Sequence, residues 1–349
     1  MDNRIAKKLM CVYCKQRIDT EYVFKQTFGI AKCSCSRFPI VNSILYLKND
    51  SSQKRAVELI NKRKYFLALI ALLQLRKRLL VPIIFLILLH RHKKAQYRIS
   101  FQVFLRLLVI FGYPLSWARY LANRKRMPSY ILSEAVVDYL PVTPKAVIID
   151  VGCGTGQLIH LLGKSVDPKN IIGLDGSFLS LFLAKCFFVS QETLLICTDI
   201  ENGLPFANKS VTLCFDVESF QHYTKKQQYL SELGRVITPR GVAALIHVFN
   251  KNSGRDKNIY PVSPNKLVKL SKNNGFPYIY ALPHVTFWPQ LIRNKHIDLV
   301  QYLETPIKMS YAHSYILSRN LLPKIVPNKF YARLKKIKID YFQDQPLKQ

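Results

Sequence analysis

The feature that most limits what this chain can fold into is an apolar, β-branched run at residues 146–151 that ends in Gly152-Cys153-Gly154-Thr155-Gly156. Such a run reads as a buried parallel strand, and glycines at this spacing let the backbone turn tightly and approach a ligand with no Cβ in the way. The pattern then alternates. Residues 158–162 read as a helix, 170–175 as a strand and 178–189 as a helix with Ser177 as its N-cap. Strands are expected at 193–199, 210–217 and 242–249. Thr224 with Gln227 matches a capping box opening a helix towards Val236, and Ser263-Pro264 opens another that Gly275 could end. Alternation of this kind implies an α/β fold: a Rossmann-like, doubly wound, mostly parallel sheet.

Chemistry-bearing residues fall at the ends of these strands. Asp150 precedes the glycine turn. Asp175 ends the next strand, nineteen residues beyond Gly156, where a carboxylate can accept both hydroxyls of a ribose. Asp199 ends the third strand and is followed by Ile200, a pair suited to an adenine amino group and ring face. Leu204-Pro205-Phe206 leads into the fourth strand, and Leu233-Gly234-Arg235-Val236-Ile237-Thr238-Pro239-Arg240-Gly241 into the fifth.

In this order the five features resemble the class I S-adenosylmethionine (SAM)-dependent methyltransferases, in particular the group containing the ubiquinone and menaquinone biosynthesis enzymes. The resemblance spans roughly residues 146–250 and implies a seven-stranded sheet. It implies that Asp150, Gly152, Gly154 and Gly156 line the methionine side of SAM. Asp175, with Gly176 and Ser177, would hold the ribose, and Asp199 and Ile200 the adenine. Glu218 would face cofactor and methyl-transfer pocket together with Ser219, and Glu218 and His222 become the candidate catalytic residues. A dinucleotide-binding fingerprint would want a further glycine where this chain has Gln157, and has no counterpart to Asp199 or Leu204-Pro205-Phe206. His160, Cys214 and His247 are read as structural. Trp117 and Tyr120 are read as helix packing, with the lining of a substrate pocket as the alternative.

Four of the eight cysteines cluster as Cys11-x-x-Cys14 and, eighteen residues on, Cys33-x-Cys35. Two cysteine pairs can close a tetrahedral Zn²⁺ site that staples a segment too small to build its own core. The segment resembles the zinc ribbon that precedes some methyltransferases, including bacterial ribosomal RNA guanine methyltransferases, and implies structural zinc on Cys11, Cys14, Cys33 and Cys35. Buried or incidental thiols are the alternative, because Cys33-x-Cys35 departs from the usual two-residue knuckle. The remaining cysteines are scattered, a usage that suits a reducing, cytoplasmic setting. No apolar stretch with a cleavage site opens the chain, and none looks like a signal peptide.

The domains expected are therefore a zinc-ribbon-like segment (1–50), a basic apolar helical region (54–130), the methyltransferase domain (131–285) and a basic extension (286–349). Charge is what separates them. Residues 141–250 hold nine Lys/Arg against nine Asp/Glu, whereas residues 54–130 hold seventeen against one. That asymmetry is a statement about partners. Residues 79–89 are apolar throughout but too short to cross a bilayer as a helix, which needs about twenty. The region suits a helical lid with peripheral contact to anionic membrane, and so a small-molecule or lipid-like acceptor. Structured RNA is the alternative acceptor, supported by the zinc-ribbon-like segment and the charge. Against it, Asp216-Val217-Glu218-Ser219 lacks the Asn/Asp-Pro-Pro-aromatic motif of many base-amino methyltransferases. A catalytically idle SAM-fold binding protein is the third reading.

Overall fold

The computed structural model describes residues 9–24, 27–75, 100–110, 112–124, 142–250, 258–283 and 312–322, with single positions at 81, 84, 127, 129, 130, 133, 136, 137 and 140. Its centre is the alternation read from the sequence: β5 (Ile148–Val151), α5 (Gln157–Leu162), β6 (Ile171–Asp175), α6 (Phe178–Phe187), β7 (Leu194–Cys197), β8 (Val211–Val217), α7 (Lys226–Val236) and β9 (Ile237–Phe249). The chain continues through α8 (Pro264–Asn273), β10 (Tyr278–Pro283) and β11 (Ala312–Ser318). Strands β7-β6-β5-β8-β9 are mutually parallel, and β11 enters antiparallel between β9 and β10. β5 to β8 are buried almost throughout, as expected for strands covered on both faces.

The resemblance implies seven strands; among the described residues the sheet is mixed and has eleven. Four of these come from the N-terminal segment: β1 (Asp19–Phe24), β2 (Phe28–Lys32), β3 (Arg37–Val41) and β4 (Ile44–Tyr46). β1 to β3 form an antiparallel meander, and β4 then pairs parallel with β7 through Ile44↔Leu195, Leu45↔Ile196 and Tyr46↔Cys197. The reason is hydrophobic. Phe38, Ile40, Val41, Ile44 and Leu45 are buried, and the outer edge of β7 offers an open ladder and apolar surface on both faces.

Four helices of the region read as basic and apolar are described: α1 (Ser51–Asn61), α2 (Tyr65–Leu73), α3 (Phe101–Ile110) and α4 (Leu115–Asn123). Their apolar residues, among them Ile60, Leu69, Phe104 and Leu121, share one buried cluster with Phe178 and Phe182 of α6. Among the described residues no helix is long and apolar enough to cross a membrane. Of residues 79–89 only 81 and 84 are described, and most of the C-terminal extension lies outside the described residues.

Local signals were met with two exceptions. Ser177 Oγ caps α6 by accepting the Ser180 N–H, and Ser263 Oγ accepts that of Lys266 at the start of α8. Thr224, expected to cap α7, instead spends its N–H and hydroxyl on the Glu201 carboxylate, and α7 starts later, behind Lys225. Pro239-Arg240-Gly241, whose Pro and Gly read as a turn before the strand expected at 242–249, are absorbed into β9, whose first residue already pairs with Val211.

Gly234 in α7 shows how closely the helices pack. An alanine Cβ there would sit 2.4 Å from the Asn274 carbonyl oxygen at the end of α8. Glycine to alanine inside a helix ordinarily stabilises, by about 0.5–1 kcal/mol. Here the obstruction is backbone, so Gly234→Ala is expected to destabilise the fold by about 1–3 kcal/mol. A urea midpoint above that of the native chain would contradict this packing.

Candidate functional site

Because β5 to β9 run parallel, their C-terminal ends meet at one edge of the sheet, and the crevice opens where the connections diverge to β6 on one side of β5 and β8 on the other. The glycine turn sits at that point. Gly152, Gly154 and Gly156 have φ of +70°, +53° and +80°, a region that side chains occupy reluctantly. The N–H groups of Gly152 and Cys153 both bond the Leu174 carbonyl of β6, at 2.8 and 3.0 Å, which fixes the turn to its neighbour. A Cβ on Gly152 would overlap Ser219, and one on Gly156 would meet Val189 at 2.7 Å, whereas around Gly154 a Cβ would touch nothing within 4 Å. The turn thus presents bare backbone to open space.

Asp175 closes the next position. Its Oδ2 accepts the Gly154 N–H at 2.8 Å and its Oδ1 the Ser177 N–H at 2.7 Å, so the carboxylate is aimed before any ligand arrives. Burial raises its pKa, and the two N–H donors and the positive charges of Arg124 and Lys48 oppose that rise. Gly176 is exposed beside it, and its carbonyl accepts from Lys48 Nζ. Asp199 lies exposed at the end of β7, capping a short turn through the Glu201 N–H, and Ile200 is buried next to it. These positions fit an adenosyl group: a pre-aimed carboxylate for the ribose, an exposed carboxylate with an apolar neighbour for the base, and glycine backbone for the chain beyond. Asp150, just before the turn, is buried, which pushes its carboxyl up to about 8. The Arg124 charge opposes that shift, and the carboxylates of Asp216 and Asp175 add to it.

On the far side of the turn, Asp216 is fully buried and its Oδ1 accepts the Phe220 N–H at 2.8 Å. Ser219 Oγ lies 2.6 Å from that oxygen and 2.9 Å from the Val151 carbonyl, so both residues support the crevice floor. Glu218 is the side chain that turns outward. Its backbone sits at φ +59°, and so does its neighbour's across the ladder: His247 has φ +62°. Two non-glycine residues in the left-handed region at adjacent strand ends mark a strained site. The Glu218 carboxylate meets His247 Nδ1 at 3.4 Å, Arg124 Nη1 at 3.7 Å and the Tyr120 hydroxyl at 3.5 Å. Burial lowers the His247 pKa, with the Glu218 charge opposing, which favours the neutral imidazole.

His222 is elsewhere. It is exposed, and its Nδ1 lies 3.1 Å from the Asn258 carbonyl. The imidazole that joins Glu218 is that of His247, read from the sequence as structural. The signal lies in register: Val217 pairs with Ile246, which places the next residues, Glu218 and His247, side by side. Arg124 had no local signal, because it reaches the crevice from α4. Tyr120 turns to Glu218, and Trp117 packs against Tyr113 and the core.

A second cluster lies in two turns of the N-terminal segment, one before β1 and one between β2 and β3. The thiols of Cys11, Cys14, Cys33 and Cys35 fall within 4.8 Å of one another and form no disulfide. Cys11 Sγ is 3.6 Å and Cys33 Sγ 3.4 Å from Cys35 Sγ. A tetrahedral ion with sulfur bonds of about 2.3 Å holds its sulfurs roughly 3.8 Å apart, so the spacing suits one Zn²⁺.

Residues 149–245 match the family model described as "Methyltransferase domain". Malonyl-(acyl-carrier protein) O-methyltransferase of Marinomonas sp. is 33% identical over 138 residues, 36% of this chain and 51% of that protein. Demethylmenaquinone methyltransferase of Thermotoga maritima is 27% identical over 148 residues, 42% of this chain and 57% of that protein. The chain therefore spans little more than half the length of these relatives. Among solved structures, phosphoethanolamine N-methyltransferase 2 of Haemonchus contortus with bound SAM superposes with a TM-score of 0.40 at 12% identity, covering 58% of this chain and 60% of that one.

Asp150 gives the site a pH signature. A carboxyl whose pKa is raised on folding favours the folded state most below its unfolded value of 3.8, and that contribution is lost as pH rises through about 8. Asp150→Asn stays neutral, so the variant is expected to lose much of the decline in stability between pH 4 and 8 and to exceed the native chain at pH 8. Unfolding midpoints taken across that range test it, and parallel curves would rule it out.

Proposed function

We propose that this chain, whose residues 149–245 match the model described as "Methyltransferase domain", is a class I SAM-dependent methyltransferase acting on a small-molecule or lipid-like acceptor. The observation that carries the reading is the pre-aimed Asp175 carboxylate beside bare glycine backbone at the switch point of a parallel sheet. Bound SAM supplies a methyl group made electrophilic by its sulfonium. The chain's own residues then have three tasks. Gly152, Gly154 and Gly156 admit the methionine portion without steric conflict, with Asp150 behind them. Asp175, Gly176 and Ser177 take the ribose, and Asp199 and Ile200 the adenine. Glu218, steadied by His247, Arg124 and Tyr120, orients the acceptor and receives its proton where the reaction releases one. His222, exposed and turned to the Asn258 carbonyl, is left for acceptor contact rather than proton transfer.

Electrostatics supports the acceptor class. Asp175, Asp199 and Glu218 stand at or just past the C-terminal ends of parallel strands, carboxylates that disfavour a phosphodiester backbone there even with Arg124 and Lys48 close by. The relatives named above act on a malonyl-(acyl-carrier protein) and a demethylmenaquinone, in keeping with a small or lipid-like acceptor. Exposed Val103, Ile110 and Leu115, set among Arg106 and Arg119, are the side chains with which α3 and α4 would meet an anionic membrane surface.

Calorimetric titration with S-adenosylhomocysteine is expected to show one site. Asp175→Asn is expected to weaken it at least about tenfold, the worth of a hydrogen bond to a charged group. Alanine would also strip the glycine turn of its acceptor, so asparagine is the cleaner probe. Absence of binding to the native chain defeats the cofactor assignment. With methyl-labelled SAM and fractionated extract, label is expected in the organic-soluble or small-molecule fraction. Label confined to RNA would overturn the acceptor class and leave the cofactor standing.

A further inference from the structure

The cysteine cluster and the adenosine-binding loops lie on different parts of the sequence, yet the structure fastens them together at several points. On one side of the cluster, the Met10 N–H bonds the Pro205 carbonyl at 3.1 Å, and Leu9 pairs with Phe206 as an isolated bridge. Lys15, one residue past Cys14, places its Nζ 3.8 Å from Glu232 Oε2, the oxygen that accepts the Leu204 N–H at 2.9 Å. On the other side, the strand leaving the cluster runs through β3 and β4 to the end of β7, where the Leu47 N–H bonds the Cys197 carbonyl at 2.7 Å and Lys48 Nζ bonds the Gly176 carbonyl. Tyr13, between the two cysteines of the first pair, stacks on Phe38 and accepts the Asn49 N–H at 3.1 Å. The loop from Asp199 to Phe206 and the turn at Gly176 are thus both backed by the cysteine-bearing module. The contact is also apolar: Leu9, Cys11, Ile18 and Phe38 share one buried cluster with Ile200, Leu204 and Phe206.

What holds the module itself is modest. β1 to β3 are an antiparallel meander whose first strand is half exposed. The turns at Cys11–Cys14 and Cys33–Cys35 meet through sulfur contacts, and thiols are weak hydrogen-bonding groups. Four thiolates closing on one ion would supply the missing cohesion, because metal binding at such a site is folding free energy. Among the described residues the cluster consists of four thiols with no histidine, a donor set that suits a structural ion.

We infer that Cys11, Cys14, Cys33 and Cys35 bind one tetrahedral Zn²⁺, and that this ion sets the affinity for the adenosyl cofactor by holding residues 9–15 and 46–49 against the two loops that receive adenosine. The inference rests on the cofactor reading above. Coupling between two sites is reciprocal, so the cofactor also tightens the metal.

The test uses the full chain, stripped with a chelator and reloaded with Co²⁺ as a spectroscopic stand-in. One equivalent is expected to give the intense thiolate-to-cobalt absorption of a tetrahedral four-sulfur site, abolished when Zn²⁺ displaces it. S-adenosylhomocysteine is expected to bind at least about tenfold more weakly to the stripped protein, within the usual span of coupling between sites. Cys14→Ser with Cys33→Ser should lose the spectrum and keep the stripped-protein affinity, with circular dichroism reporting whether the sheet survives. If that variant does not fold, Lys48→Met serves instead, because it leaves the cysteines untouched and cuts one link. It should retain the cobalt spectrum and weaken S-adenosylhomocysteine severalfold. Absence of the four-sulfur spectrum at one equivalent overturns the metal site. Equal affinity in loaded and stripped protein overturns the coupling. A full spectrum with no S-adenosylhomocysteine binding in either state defeats the cofactor reading and, with it, the coupling, but leaves the metal site intact.

Discussion

Parallel pairing about β5 is the constraint on which the rest of this molecule depends. With β6 on one side and β8 on the other, every strand that ends in a carboxylate delivers it to the same edge. Asp150, Asp175, Asp216 and Glu218 are gathered there by the ladder, and no contact between their own side chains is needed to bring them together. The burial that results is costly for like charges, and it is why burial and mutual repulsion push the Asp150 carboxyl up to about 8. Arg124 reaches in from α4 and opposes that repulsion at Asp150, Asp175 and Glu218. The aqueous edge of this crevice carries the strained backbone at Glu218 and His247.

The parts of this arrangement that could be read directly from the chain are those set by local rules. The glycine turn, the strand-end carboxylates Asp175 and Asp199, and the Ser177 cap depend on residues a few positions apart, and periodicity and turn chemistry identify them. Glu218 was expected in the pocket only through the resemblance to SAM-dependent methyltransferases, and no local rule singles it out. The rest is non-local. His247 becomes a partner of Glu218 only through the register of β8 and β9, and Arg124 only through the docking of a helix 94 positions earlier in the chain than Glu218. Thr224 carried a valid capping signal but was claimed by Glu201, a tertiary competitor that a local rule does not see. The N-terminal segment is the largest case. Its cysteine spacing was legible, but its attachment to the sheet was not, because β4 is three residues long and only the outer edge of β7 makes it a strand.

The helical region illustrates how charge and burial divide one segment. Its basic residues suggested a surface for partners, and its apolar residues a lid. In the described helices much of the apolar complement is spent on packing against α6, where Phe101 meets Phe187 and Phe188, and α4 ends by directing Arg124 and Tyr120 towards Glu218. One element therefore both closes the core and sets Arg124 and Tyr120 beside Glu218.

Extending the sheet through β4 also changes where it can meet other chains. A seven-stranded sheet would end at β7, a wholly apolar strand whose unpaired backbone would template addition of a foreign strand. Here that position is internal, and the boundary has moved to β1. That strand carries Asp19 and Glu21, the latter in an ion pair with Lys32 at 2.6 Å, and its ladder is broken by a register shift between Tyr22 and Phe24. Charge and irregularity of this kind discourage edge-to-edge association. The N-terminal module thereby covers the β7 edge of the parallel strands.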